Sequence, residues 1–157
     1  MRPCKLFIVC LFAFVGCSDF GTELWGGWTE YELPYAQIYL PSALVRQQSG
    51  AALPENPAFA GVVDGHWIWV EFCIYTPLWG SEYPDYRQEA INLWGRPAVL
   101  FRSRGFLHVY DSHFSLMVGV KAYFKPDGGA VVVVVVIRDE GADPLAREIL
   151  MTLHPAR

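Results

Sequence analysis

The chain has 157 residues, with 16 Asp and Glu against 12 Lys and Arg, a formal charge of −4. A net acidic chain lacks the clustered positive charge that nucleic acid demands and the polybasic run that grips anionic lipid headgroups, so neither is an expected partner. Aromatic residues make up 15% of the sequence, a large apolar payload whose first use is a well-filled core, and the length suits one domain.

At the N-terminus, Arg2 and Lys5 flank the start of an unbroken apolar run over residues 6–15, followed by Gly16 and Cys17. A charged start, a short apolar stretch and a small residue at its end mark a secretory signal. Ten residues at about 1.5 Å each span about 15 Å, half a bilayer core, so the run is too short to cross. The ending Phe14-Val15-Gly16-Cys17 resembles the lipobox of bacterial lipoproteins, in which a small residue precedes a cysteine that is acylated and becomes the mature N-terminus. Phe14 stands where that family prefers Leu. The resemblance implies that residues 1–16 are a removed signal peptide and that Cys17 carries lipid, with palmitate-type chains. Ser18 follows the cysteine and Asp19 comes one later, which in that family implies the outer membrane, facing the periplasm. Plain secretion with cleavage after Ser18 is the alternative. Each buried lipid CH₂ contributes about 0.8 kcal/mol, so several acyl chains anchor a domain that has no span of its own. Without its leader the chain keeps ten basic and sixteen acidic residues, a formal −6.

Residues 18–27 are polar and glycine-rich and read as a tether, so residues 17–27 link the anchor to a single domain over residues 28–157. Residues 28–41 alternate Tyr, Ile and Leu but contain Pro34 and Pro41, which predicts two short edge strands. Residues 42–57 read as a surface loop. Asp64-Gly65 between apolar runs predicts a hairpin of residues 58–63 and 66–76. In its second arm His66, Ile68, Val70, Phe72 and Ile74 form the core face, and Trp67, Trp69, Glu71, Cys73 and Tyr75 the other. Residues 85–94 read as a helix, with Asp85 and Gln88 as a capping box and Tyr86, Ala90, Leu93 and Trp94 as its stripe. Residues 97–104, 106–112 and 114–124 read as strands, and residues 125–129 as a turn. Six valines and Ile137 follow. Their β-branching favours a strand, and the lack of a polar face predicts that it is central and covered on both sides. Gly128, Gly129, Arg138, Asp139 and Glu140 flank it as gatekeepers against aggregation. Residues 143–153 read as the last helix, capped by Asp143 with Pro144 in its first turn, and its Leu145, Ile149 and Leu153 stripe packs on the valine strand's sheet.

This order predicts an α+β domain, an antiparallel sheet of about six or seven strands flanked by helices. Trp94-Gly95-Arg96-Pro97-Ala98-Val99, the Gly-Gly turn, the valine strand and residues 143–150 (Asp-Pro-Leu-Ala-Arg-Glu-Ile-Leu) resemble the PsbP/Mog1-like α/β/α sandwich group. That resemblance implies a layered sandwich over roughly residues 28–153 in a group that is mostly non-enzymatic.

Candidate chemistry is sparse. His108, Asp111 and His113 are weak candidates for a metal, because on one strand Asp111 and His113 share a face and His108 does not. A hairpin bend is the plainer reading, and no metal or cofactor is expected. Asp64, His66 and Glu71 form a second set, with His66 expected to bond Asp64. His154 is expected to complement the last helix's dipole at its C-terminus. Cys4 and Cys10 leave with the leader. Cys73, alone in the mature chain apart from Cys17, is expected buried and inert. Nucleophile-elbow, phosphate-loop and paired-cysteine motifs are all absent, so an enzyme is not the expectation. The aromatics Trp67, Trp69, Tyr75 and Trp79, with Glu71 among them, are the candidate binding residues. Filling a covered second layer competes with that role. These residues predict a non-catalytic envelope lipoprotein that binds another envelope or periplasmic protein. An immunity-type inhibitor of a periplasmic toxin is one concrete version. A small-ligand carrier or enzyme with an aromatic pocket at Trp67 and Trp69 is the alternative.

Overall fold

The β-branched run is the centre of the molecule. The computed structural model describes residues 23–24, 27–47, 57–73, 85–106 and 114–157. Its strands are β1 (Glu23–Leu24), β2 (Trp28–Leu33), β3 (Ala36–Pro41), β4 (Val45–Gln47), β5 (Ala58–Val63), β6 (His66–Cys73), β7 (Arg87–Leu93), β8 (Arg96–Phe106), β9 (Phe114–Ala122), β10 (Val131–Ile137) and β11 (His154–Pro155). A 3₁₀ turn (Glu140–Ala142) leads into one helix, α1 (Asp143–Met151). Seven strands form an antiparallel sheet in the order β4-β5-β6-β10-β9-β8-β7, with β10 in the middle. A second antiparallel sheet has the order β1-β2-β3-β11.

Every residue of β10 is buried, and the two faces serve different clusters. Val131, Val133, Val135 and Ile137 join Ile68, Val70 and Phe72 of β6, Val118 and Val120 of β9, and Leu100 of β8. Ile38 and Leu40 of β3 and Ala146, Ile149 and Leu150 of α1 close this core. Val132, Val134 and Val136 face the other way, with Trp69, Phe101, Met117 and Ala58. Each fully buried valine contributes about 1.5 kcal/mol of apolar transfer energy, so this strand is a large share of the domain's stability.

Residues 85–94 are not a helix: β7 pairs with β8 along its whole length, from Arg87 opposite Arg102 to Leu93 opposite Arg96. Trp94 (φ 54°) and Gly95 (φ 76°) are both left-handed, the signature of a two-residue hairpin turn, and Asn92 Oδ1 accepts the Gly95 N–H at 2.8 Å. Asp85 caps nothing; its φ is 56° and its carboxylate lies 3.6 Å from Arg104. Of the supposed stripe only Leu93 is buried, and Trp94 is 69% exposed. β3 is not an edge strand, since β2 and β11 flank it. Pro34 sits in the β2–β3 turn and Pro41 ends the strand, so neither interrupts the ladder. Residues 45–47, expected in a loop, are β4. Asp143 is the first helical residue, Ala142 holds the cap position and no side chain caps α1. Asp139 instead caps the 3₁₀ turn, accepting the Gly141 N–H at 2.6 Å. Helical cover is slight among the described residues, and the second sheet supplies much of the layer expected from helices.

The hairpin at Asp64 (φ 50°) and Gly65 (φ 84°) forms as expected. So does the 125–129 turn, where Gly128 (φ 81°) donates to the Lys125 carbonyl at 3.0 Å. Chain packing beside the first hairpin is close: a Cβ on Gly61 would lie 2.4 Å from the Ala43 carbonyl oxygen. Main chain cannot swing aside as a side chain can, so Gly61→Ala is expected to cost about 2 kcal/mol or more. A thermal melt checks this. A variant melting with the wild type would show that the 43–44 segment is not pressed onto β5.

Candidate functional site

Trp67, Trp69 and Glu71 lie on the β6 face turned away from α1. Trp69 stands opposite Val136 on one side and Ala60 on the other, and Glu71 opposite Val134 and Ala58. The indoles of Trp67 and Trp69 stack with centroids 6.5 Å apart and planes at 22°. Their environments differ. Trp69 is 5% exposed and sits among Val134, Val136 and Met117. Trp67 is half-buried, and the Arg138 guanidinium lies 4.5 Å over its ring. Two strands along, Gly119 makes room for Phe101, whose ring atoms would lie 2.2 Å from a Cβ there. Omitting one side chain lets an aromatic ring lie flat on the sheet.

The β5–β6 turn and the β10–α1 corner meet at one end of the sheet. His66 Nδ1 lies 2.5 Å from Asp139 Oδ2, so His66 bonds Asp139 and not the Asp64 beside it in sequence. The Gly141 N–H and then His66 hold the Asp139 carboxyl below the ordinary aspartate range, since both stabilise its charged form. Glu140 pairs with Arg104, Arg104 also approaches Asp85, and Asp143 bridges Arg102 (3.3 Å) and Arg147 (3.0 Å). A carboxylate fixes the orientation of the His66 ring, as in an acid–base dyad, but a dyad becomes catalytic only beside a reacting group in a pocket. Among the described residues no group of three or more His, Cys, Asp and Glu side chains could hold a metal ion.

At the opposite end of the sheet, a second cluster escaped sequence reasoning. His154 belongs to β11, beyond α1. Its ring stacks on Tyr39 at 5.6 Å and meets Trp94 at 5.7 Å. Its Nδ1–H donates to the Thr152 carbonyl at 2.9 Å, and its Nε2 is 3.7 Å from Glu30 Oε1. The Thr152 hydroxyl accepts the Tyr39 N–H at 3.0 Å and donates to the Ile149 carbonyl at 2.7 Å, tying the helix end to β3. A hydrogen bond with Glu30, then burial, raises the Tyr39 phenol above its usual range.

Cys17, Tyr75, Trp79, His108, Asp111 and His113 lie outside the described residues, as does the Cys73 side chain, although its backbone pairs with Val132. Among the described residues no helix is long and apolar enough to cross a membrane. No protein-family model, curated protein or solved structure matches this chain.

Proposed function

We propose that this chain is a bacterial envelope lipoprotein, held through acyl groups on Cys17 at the periplasmic face of the outer membrane. Its domain binds another envelope or periplasmic protein without catalysing a reaction. The anchor rests on the Val15-Gly16-Cys17 ending behind a short apolar leader. One structural observation carries the binding role. At the tip of the β5–β6 hairpin Val62 is 60% exposed opposite the half-buried Trp67. Arg138 covers the indole, and at this end of the sheet the carboxylates of Asp64 and Asp139 are exposed. An aromatic anchor inside a polar, charged rim is how protein-binding surfaces concentrate their affinity. The exposed carboxylates at this end of the sheet suit a cationic partner, and an immunity-type inhibitor of a periplasmic toxin would use such a surface. A PsbP/Mog1-like relation for the domain is supported by the antiparallel sheet and by the terminal helix lying on its valine strand.

The binding role is tested at Trp67. Trp67→Ala is expected to weaken partner binding by about 2 kcal/mol, as loss of an aromatic anchor does, and to lower the melting temperature only slightly. The assay compares capture from detergent-solubilised envelopes by wild type, Trp67→Ala and Val62→Asp. A protein captured equally by all three, or by none, would contradict the proposal.

A further inference from the structure

We propose that β7 is a self-association edge: two copies of this chain join β7 to β7, antiparallel, about a two-fold axis at Gln88. β7 ends the seven-stranded sheet. Arg87, Gln88, Glu89, Ala90 and Asn92 are all exposed, so side chains on both faces of this strand stand clear of the other described residues. Such an edge offers a row of unpaired main-chain N–H and C=O groups. The turn sets which residues offer them. The two-residue connection at Trp94 and Gly95 closes on Leu93 opposite Arg96, and the turn's own i to i+3 bond makes that closing pair hydrogen-bonded. Counting back by twos, Ile91, Glu89 and Arg87 turn their main-chain groups toward β8, while Asn92, Ala90 and Gln88 turn theirs outward.

Charge then selects the register. Arg87 and Glu89 share one face, and among the described residues neither makes an ion pair. Arg87 also stands directly opposite Arg102, so its open side favours a carboxylate. An axis at Gln88 sets Arg87 against the partner's Glu89 and Glu89 against the partner's Arg87. Both pairs fall at non-hydrogen-bonded positions, where side chains come closest. The outward groups of Gln88 meet those of the partner's Gln88 in the same register. An axis at Glu89 would oppose Glu89 to the partner's Glu89. An axis at Ala90 would set both charges against the partner's Leu93 and the partner's Ile91. Only the Gln88 register satisfies charge and main chain together, and it joins two seven-stranded sheets into one. This surface lies on a different strand from the hairpin tip, so the inference stands apart from the proposed function.

Sedimentation of the full chain in detergent, over a concentration series, tests it with Arg87→Glu, Glu89→Arg and the double variant. Wild type is expected to dimerise. Each single exchange opposes like charges twice and should weaken the dimer tenfold or more. The double exchange restores opposite charges across the axis and should recover most of that loss. All three variants change exposed positions, and melting with the wild type confirms that each is folded. A wild type that stays monomeric, single variants that dimerise as well as wild type, or a double variant no better than the singles would overturn the inference.

Discussion

Val134→Asp is expected to abolish folding. Val134 is 1% exposed at the middle of the central strand, flanked by Glu71 of β6 and Gly119 of β9. A carboxylate there loses its water and gains no cation, a cost of several kcal/mol. It would also stand directly opposite the carboxylate of Glu71, since paired residues on neighbouring strands bring their Cβ atoms within about 5.5 Å. Domains of this kind hold only about 5–15 kcal/mol in total. Val134→Ala, which removes two carbons and adds no charge, should cost about 2 kcal/mol and leave a folded protein. Expression in soluble form followed by thermal melting separates the two. A cooperative melt for Val134→Asp near the wild-type temperature would mean that β10 is not a covered strand.

Trp69→Ala is expected to cost about 3–5 kcal/mol, the range for a buried Trp cut back to Ala. The side chain is 5% exposed, packed with Val134, Val136 and Met117, and stacked on Trp67. Deleting it empties a large volume on the second face of the central strand and removes the ring that supports Trp67. Trp67→Ala should cost much less, because the residue is only partly buried and its Arg138 contact is of a kind that contributes about 0.5–1 kcal/mol at an exposed site. Chemical denaturation of the two variants side by side measures the difference. Equal losses would remove the distinction between a packing residue and an anchor at the surface. The pair of indoles read from sequence as one binding face thus divides into an inner and an outer member.

What the sequence made legible was local. The Asp64-Gly65 hairpin follows from two residues that tolerate positive φ between apolar runs, and β10 follows from unbroken β-branching. α1 follows from Pro144 at its start and its apolar spacing. The misreading of β7 was also local. Asp85 and Gln88 imitate a capping box, and a tryptophan in the left-handed region, as at Trp94, is rare enough that a two-residue turn there is not expected from composition. β7 is a strand because β8 pairs with it, and tertiary pairing outweighs a marginal helix pattern. The prolines misled differently. At Pro34 and Pro41 they bound β3, whose Ala36, Ile38 and Leu40 alternate cleanly and are fully buried. β11, only two residues long, has no period to read. The site contacts were the least legible. His66 and Asp139 are 73 residues apart, and His154, Tyr39 and Trp94 come from three separate elements. Only the flanking position of Arg138, Asp139 and Glu140 beside the valine run hinted that these charges had work at the strand's end.

The anchor is the claim on which the envelope reading depends, and metabolic labelling with an alkyne-bearing fatty acid tests it most directly. The wild-type chain is expected to carry the label, to partition with membranes and to migrate as a form shortened by residues 1–16. Cys17→Ser is expected to lose the label and to accumulate as an uncleaved or soluble form. A wild type that takes up no lipid and behaves like Cys17→Ser would contradict the account.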